Sequence, residues 1–259
     1  VNLRDYCITK GVDVFSTPFD EDSLDFLIST GMSVYKIPSG EITNLPYLEK
    51  IGKQKKKVIL STGMATMDEI HAAVKILEDN GTIDISILHC TTEYPTKYED
   101  LNLNVIKTLQ KEFPNHTIGY SDHSIGYSVP IAAVALGAEI IEKHFTLDND
   151  MPGPDHKASA TPEILRRLVK GIRIVELSLG QFEKTPVVAE IKNKIVARKS
   201  IIAKRQIRKG EKFTRENITT KRPGNGISPM CWYDILGKVS EDDFEEDTII
   251  VHSEFENQE

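Results

Sequence analysis

The sequence predicts an α/β protein, a (β/α)8 TIM-type barrel that lacks its first two strand–helix units and is followed by a small β-rich domain. Over the first 180 residues, short β-like runs alternate with amphipathic helices, which indicates parallel strands joined by crossover helices. Polar residues follow nearly every run, as in the active-site loops of barrels. After Gly180 the alternation stops, and short β runs with tight turns take over.

Six β-like runs lie in the first 180 residues, each bounded by turn residues or by a helical pattern. A barrel has eight units in about 250 residues, so we expect two N-terminal units of roughly 30 residues each to be absent from this sequence. An open doubly wound sheet is the alternative, but it usually has a glycine-rich phosphate loop after its first strand, which Thr17–Asp20 is not. The six runs are Val12–Thr17, Val34–Ile37, Lys57–Ser61, Ile83–His89, Thr117–Tyr120 and Glu139–Lys143.

Helices are predicted between these runs, and two of them have marked ends. Thr66 and Glu69 form a capping-box pattern, which predicts a helix start just before an apolar face of Ile70, Val74 and Leu77. The last helix of the barrel is predicted from Thr161 to Gly180, because a Thr-Pro pair starts it and a glycine ends it.

The chain after the barrel is predicted to contain a linker and one small domain. Residues 181–194 are polar and are predicted to be the linker, and residues 195–259 to be the β-rich domain, which we expect to dock on the barrel or on a second subunit. Its β runs are predicted at Ile195–Ile202, Lys212–Phe213 and Ile249–His252.

Composition excludes several classes of protein. No apolar run approaches the roughly 18 residues of a membrane span, so no membrane association is expected. Three scattered cysteines favour a reducing cytoplasm over a disulfide framework or a zinc finger. Between Lys192 and Arg222, twelve Lys or Arg residues face two Glu, but no series of aromatic stacking residues interleaves with them as is typical of single-stranded nucleic-acid binding. We therefore expect no nucleic-acid partner and interpret the stretch as a solvated face or part of an anion pocket.

Two histidines follow successive strand runs, His123 after the fifth run and His144 after the sixth. Their spacing matches one strand–helix repeat, which would set both imidazoles side by side at the C-terminal mouth of a barrel. Paired neutral imidazoles with open positions suit a divalent metal that polarises a substrate oxygen. The alternative for each is a hydrogen-bonded core histidine, the interpretation that we prefer for His89.

Other polar residues at strand ends could bind an anion or act in acid–base chemistry. Lys36 together with Ser39, Ser61 and Ser121 offers one point charge and several hydroxyls for a phosphate or carboxylate. Glu41 could act as an acid or base, and Asp155 could contact substrate. The alternatives are a salt-bridged Lys36, an exposed Glu41 and a turn-forming Asp155.

Several of these segments, taken together and in order, resemble the sialic acid synthase family. The basic C-terminal part is similar to that family's antifreeze-like (SAF) domain, so the resemblance covers essentially the whole chain. The segments are Tyr35–Glu41, Leu60–Met64, Tyr120–His123, Glu142–Thr146, Gly153–Asp155 and Lys221–Gly226.

The resemblance implies the activity of an N-acetylneuraminate synthase, which condenses phosphoenolpyruvate with N-acetylmannosamine and water and releases phosphate. It implies Mn²⁺ or Mg²⁺ as cofactor and a domain-swapped homodimer whose C-terminal domain completes the partner's active site. The implied metal ligands are His123 and His144, and the implied phosphoenolpyruvate ligands are Lys36, Ser39, Ser61 and Ser121. The implied sugar site is lined by Tyr94, Glu41 and Asp155, and Arg222 of the partner subunit would reach the sugar's N-acyl group. Lys36, Glu41 and Tyr94 are the expected catalytic groups.

Alternatives remain open at this point. The family's N-terminal strands supply a glutamate and a lysine to the site, and the sequence begins after them, so we expect the chain alone to be inactive. A synthase for a related nonulosonic acid such as legionaminate and a metal-dependent pyruvate aldolase are the enzymatic rivals. A non-catalytic binding module is the rival from another class.

Overall fold

The computed structural model describes residues 2–255, which divide into two compact units, the first ending at Gly180 and the second beginning at Gln181. The first unit contains one sheet of five parallel strands in sequential order, with helices in the crossovers. Its strands are β1 Val34–Ile37, β2 Lys57–Ser61, β3 Ile85–Cys90, β4 Thr117–Asp122 and β5 Ile140–Lys143. Its helices are α1 Asn2–Thr9, α2 Glu21–Ser29, α3 Leu45–Gly52, α4 Met67–Asp79, α5 Val105–Glu112, α6 Ser128–Ala135 and α7 Pro162–Leu179.

Side chains alternate between the two faces of this sheet, as strand geometry requires. One face packs on the helices and forms the main core with their apolar stripes; Ile37, Leu60 and Ile87 are fully buried there. We call the opposite side the inner face. It consists of Lys36, Ile59, Ser61, Ser86, Leu88, Cys90, Gly119, Ser121, Ile140 and Glu142, which follow one another across the sheet in register.

The sheet is curled, because side chains from its two outermost strands meet. Four inter-strand spacings of about 4.8 Å would separate β1 and β5 by about 19 Å in a flat sheet. Yet Lys36 Nζ on β1 lies 3.5 Å from Glu142 Oε2 on β5. Such curling is how a parallel sheet with crossover helices forms a barrel wall, so the α/β barrel fold class predicted from the sequence is confirmed.

Five of the six predicted strands are present at or close to their predicted bounds. The prediction for Val12–Thr17 was wrong, since this segment is irregular and joins no sheet. Its backbone bonds locally instead, Val12 N–H to the Cys7 carbonyl and Ser16 N–H to the Met32 sulfur. The alternating pattern of the segment was strand-like, but a strand forms only where a neighbouring strand pairs with it.

The predicted helix ends are confirmed. Thr66 Oγ1 accepts the Glu69 N–H and the Glu69 carboxylate accepts the Thr66 N–H, so the capping box closes in both directions at the start of α4. Thr161 caps α7 through the Ile164 N–H, and Gly180 ends it with a φ of +58° that favours glycine.

The second unit has its own core, built around the fully buried Ile201, Ile235 and Phe213. Its single ladder is an antiparallel pair, and its helices are short. The elements are α8 Val188–Ala197, β6 Ser200–Ala203, β7 Ile218–Lys221 and α9 Trp232–Ile235.

Three strand predictions for this unit need correction. The predicted linker 181–194 contains the start of α8, and the predicted run Ile195–Ile202 is a helix end followed by strand β6. The apolar residues 195–197 resemble the start of a strand, but they end a helix that begins at Val188, where the Glu190 carboxylate accepts the Val187 N–H. Lys212–Phe213 and Ile249–His252 contribute only isolated bridges, Lys212 with Val239 and Ile249 with Ile202.

Within residues 2–255, no helix has the length and apolar character that a membrane crossing requires.

Candidate active site

The candidate site lies on the inner face at the carboxyl ends of the strands. Across the ladders, Cys90 pairs with Ser121 and Ser121 pairs with Glu142, which sets three polar side chains in one row. His123 and His144 follow two residues later, directly after the ends of β4 and β5, so continued alternation carries them to the same face. The polar set predicted from strand ends is therefore brought together by register.

Lys36 is the central cation of this cluster, and its side chain is only 7% exposed. Its ammonium donates to Ser61 Oγ at 2.8 Å and to the Ile37 carbonyl at 3.3 Å. Its third neighbour is the Glu142 carboxylate, whose other oxygen accepts a 2.7 Å hydrogen bond from Ser121 Oγ. The structure thus joins three of the four predicted anion-binding residues through one ammonium and one carboxylate.

Ser39 completes the cluster from the turn that follows β1. Its hydroxyl accepts the Gly63 N–H at 2.9 Å and lies 3.8 Å from Cys90 Sγ. Gly63 has no room for a side chain, because a Cβ there would stand 2.2 Å from Thr92 Oγ1. The hydrogen bond between Gly63 and Ser39 therefore holds the segment after β2 against the turn that contains Ser39. Burial raises the pKa of Cys90, so this residue is a neutral thiol.

His123 and His144 lie side by side, with ring centroids 5.4 Å apart. The Nδ1–H of His123 donates to the Thr91 carbonyl at 2.7 Å, which leaves Nε2 as the lone-pair nitrogen. Burial lowers the pKa of His123 and keeps its ring neutral. Tyr94 covers both imidazoles, with its ring centroid 4.1 Å from that of His123 and 5.5 Å from that of His144.

The residues at this point fit a divalent cation as a partial set of ligands. Two imidazoles are adjacent, and Asp155 Oδ2 lies 3.9 Å from His144 Nδ1. Within residues 2–255, no group of three or more His, Cys, Asp or Glu side chains is arranged to hold a metal. A cation here would therefore keep positions open for water or substrate oxygen, as catalytic metals do.

Two predicted site residues are not joined to the cluster by any described contact. Glu41 lies in the turn after Ser39, half-buried, and its carboxylate accepts a 2.6 Å hydrogen bond from Asn44 Nδ2. Arg222 belongs to the second unit, where its Nε–H donates to the Ala197 carbonyl at 2.9 Å and its side chain is exposed.

Sequence reasoning assigned no role to Glu142, the carboxylate that links Lys36 and Ser121. The signal was present, because Glu142 is two residues before His144 and alternation places both on one face. Cys90 was also missed. Alternation places it on the inner face, because its neighbour His89 points to the helices. There the buried His89 donates Nε2–H to the Leu101 carbonyl at 2.8 Å, as a hydrogen-bonded core histidine would.

A buried ion pair behind the sheet holds the loop that carries His123. Lys143 Nζ lies 2.6 Å from Asp122 Oδ2 and also donates to the Ser124 carbonyl. Asp122 Oδ1 accepts the Ser124 N–H and hydroxyl, so the chain turns tightly around His123. The strand neighbours of the candidate metal ligands thus fix the backbone from the opposite face.

The chain was then compared with known proteins. Residues 1–184 match the model of the NeuB family, and residues 198–256 match the SAF domain. The chain is 50% identical to the N,N'-diacetyllegionaminic acid synthase of Campylobacter jejuni, over 91% of this chain and 71% of that protein. It is 44% identical to the protein of the same name from Legionella pneumophila, over 91% and 67%.

Solved structures agree with this assignment. The crystal structure of N-acetylneuraminic acid (sialic acid) synthetase from Leptospira borgpetersenii matches with a TM-score of 0.70 and 38% identity, over 74% of this chain and 67% of that one. The fold, the family models and these relatives agree, and the chain belongs to the NeuB family of sialic acid synthases.

Proposed function

We propose that this protein condenses phosphoenolpyruvate with an N-acyl hexosamine to give a nonulosonic acid and phosphate. The observation that carries the proposal is the buried Lys36 ammonium with Ser61 beside it, next to the imidazole pair of His123 and His144. A fixed cation with hydroxyl donors suits an anionic substrate, and its placement at the strand ends suits a barrel enzyme.

N-acetylmannosamine is the hexosamine that we predicted from the sequence, and its product would be N-acetylneuraminate. A second candidate is the diacetamido hexosamine from which a legionaminic acid is made. Identity favours the second, since the two legionaminic acid synthases are 50% and 44% identical to this chain, against 38% for the sialic acid synthetase structure. Both substrates need the same condensation, so the choice changes the sugar and leaves the mechanism intact.

Phosphoenolpyruvate would be held by Lys36, Ser39, Ser61 and Ser121, of which Lys36, Ser61 and Ser121 are joined through the Lys36 ammonium and the Glu142 carboxylate. Lys36 would stabilise the charge on the phosphate as it leaves, and its burial makes that interaction stronger than in water. Tyr94 and Asp155 would line the sugar side of the site, where they flank His144.

The reaction forms one carbon–carbon bond and breaks one carbon–oxygen bond. The enol carbon of phosphoenolpyruvate attacks the aldehyde of the open-chain sugar, and water adds to the resulting oxocarbenium-like centre. Collapse of the tetrahedral adduct expels phosphate. Glu41 is the group that we propose to orient or deprotonate the water, because it follows the strand of Lys36; it would have to exchange its Asn44 partner for that role.

His123 and His144 would hold a Mn²⁺ or Mg²⁺ ion. When bound, such an ion polarises a carbonyl oxygen as a Lewis acid. The protein's own contribution is to orient the rings and, by burial, to keep the His123 ring neutral. The Thr91 carbonyl fixes the tautomer of His123, and Tyr94 packs on its face.

We also propose a cytoplasmic homodimer in which the second unit of one subunit completes the active site of the other. Arg222 of the partner subunit would then contact the N-acyl group of the sugar. Neither nucleic acid nor membrane is a proposed partner, because basic residues of the second unit are paired with its own carboxylates, Arg205 with Glu211, Arg208 with Asp243 and Lys221 with Asp247.

Product analysis by mass spectrometry tests the proposed function. Phosphoenolpyruvate and Mn²⁺ would be supplied with N-acetylmannosamine or with a diacetamido hexosamine in separate tubes. Both the 259-residue chain and an extended protein, which is the chain with any residues that its gene encodes before Val1, would be assayed. A nine-carbon acid with release of phosphate is the expected result, and the productive sugar identifies the substrate. Failure of the extended protein with every sugar would contradict the proposal.

The metal assignment has a readout that needs no turnover. Mn²⁺ binding measured by electron paramagnetic resonance should weaken in His123→Ala and His144→Ala and remain in His71→Ala, whose imidazole lies on α4. Unchanged binding in both site variants would remove His123 and His144 as ligands.

A further inference from the structure

Two of the four groups that we assign to phosphoenolpyruvate, Lys36 and Ser121, are already bound by Glu142. Ser121 Oγ donates its one hydrogen to Glu142 Oε1 at 2.7 Å. Lys36 has three N–H donors, and they face Ser61 Oγ, the Ile37 carbonyl and Glu142 Oε2. No donor of Lys36 or Ser121 is therefore left for an incoming anion while Glu142 stays in place.

Glu142 is the one neighbour in this network that can leave. Ser61 is buried and the Ile37 carbonyl belongs to the strand backbone, whereas the Glu142 side chain is 38% exposed. A carboxylate that is partly in water can rotate away at a small solvation cost, and it would be repelled by the negative charge of phosphoenolpyruvate. The geometry therefore favours displacement of Glu142 over displacement of any other ligand of Lys36.

We propose that Glu142 is a competing internal anion, which occupies the phosphoenolpyruvate site in the ligand-free protein and must be displaced before the substrate binds. This inference rests on the proposed function, since it takes Lys36 and Ser121 as ligands of that substrate. In the empty site Glu142 neutralises the buried ammonium and holds both side chains in their binding positions. Its negative charge lowers affinity for the substrate in exchange for a preorganised site.

Removal of this charge should tighten phosphoenolpyruvate binding. In Glu142→Gln and Glu142→Ala, we expect the Kd of phosphoenolpyruvate to fall about three- to tenfold, the range expected for loss of one partly exposed competing ion pair and its hydrogen bond. The KM for phosphoenolpyruvate should fall with it, while the KM for the hexosamine should not. A merely structural role would not produce this selective gain.

The experiment is calorimetric titration of phosphoenolpyruvate into the extended protein, with steady-state kinetics on the same samples. Glu139→Gln is the matched control, because it removes the same charge from an exposed position just before β5. An unchanged or raised Kd in both Glu142 variants, with binding by the parent protein intact, would overturn the competition and leave the proposed function standing. Absence of binding by the parent protein would overturn both.

Discussion

At the scale of single residues, the ion pair of Lys143 and Asp122 combines the deepest burial with a clear structural task. Both side chains are almost fully buried, at 3% and 0% exposure, and they shape the loop of His123. Breaking such a pair leaves one charge unpaired in a low-dielectric interior. We predict that Lys143→Met lowers the free energy of unfolding by about 3–5 kcal/mol, measured by urea denaturation.

An exposed pair supplies the control for that prediction. Lys57 and Asp84 lie 3.2 Å apart with side chains 37% and 55% exposed, so Lys57→Met should cost less than about 1 kcal/mol. The double variant Lys143→Met, Asp122→Leu should regain part of the loss, because it leaves no unpaired charge. Equal costs at Lys143 and Lys57 would contradict the assigned role.

The buried His89 should make the stability of the protein depend on pH. Burial lowers its pKa below the ordinary value of 6.5, so as pH falls the unfolded chain binds a proton before the folded chain does. Its contribution to stability is therefore complete above about pH 6.5 and declines as pH falls toward the folded-state pKa. We predict that the stability advantage of the parent protein over His89→Gln shrinks between pH 7.5 and pH 5.5. A difference between the two proteins that stays constant over this pH range would contradict the prediction.

At the scale of elements, β4 depends on a glycine where the inner face is most crowded. A Cβ at Gly119 would stand 2.4 Å from Leu88 Cδ2 and 2.7 Å from the Ile140 carbonyl oxygen. The backbone of β5 cannot give way without loss of the β4–β5 ladder. We predict that Gly119→Ala lowers the unfolding free energy by about 1–3 kcal/mol, measured by denaturant titration.

Gly40 provides the matched control. A Cβ there meets nothing within 4 Å, and its φ does not lie in the left-handed region that favours glycine. Gly40→Ala should be close to neutral. A similar cost at both positions would show that loss of glycine flexibility, and not crowding between strands, sets the penalty.

Element prediction from sequence succeeded where local signals and pairing agreed. The bounds of β1 and β2 were predicted to the residue, because each apolar run ends at a turn and because each strand pairs with a parallel neighbour in the sheet. Val12–Thr17 carries the same local signal without a partner strand, and α8 carries apolar residues that a helix uses equally well. Periodicity within a segment does not report which strand lies beside it.

The site was predictable to the extent that strand order determines it. His123, His144, Lys36 and Ser61 converge because their strands end at the same edge of a curled sheet. Alternation with His144 predicts the face on which Glu142 lies, but its contact with Lys36 could not be predicted, since that contact joins the first and last strands of the sheet. Only the curl brings those two strands within reach of one another, and curl is a property of the whole sheet.

At the scale of the whole molecule, the second unit carries the sharpest test of the proposed dimer. Arg222 belongs to the second unit and His144 to the first, so one chain can supply each. His144→Ala and Arg222→Ala should each be impaired alone, the latter with a KM raised more for the sugar than for phosphoenolpyruvate. If Arg222 acts in trans, a heterodimer of the two variants contains one site with both residues intact.

Co-expression of the two variants should therefore restore about a quarter of parental turnover, because half of randomly formed dimers are mixed and each has one competent site of two. Only the mixed dimers should be active. If the two variants carry different tags and the mixed dimer is purified, its turnover should rise to about half of the parental value. If Arg222 acted within its own chain, each site of the mixed dimer would lack one of the two residues. Turnover would then stay at the level of the single variants, and the second unit would have to serve the barrel to which it is attached.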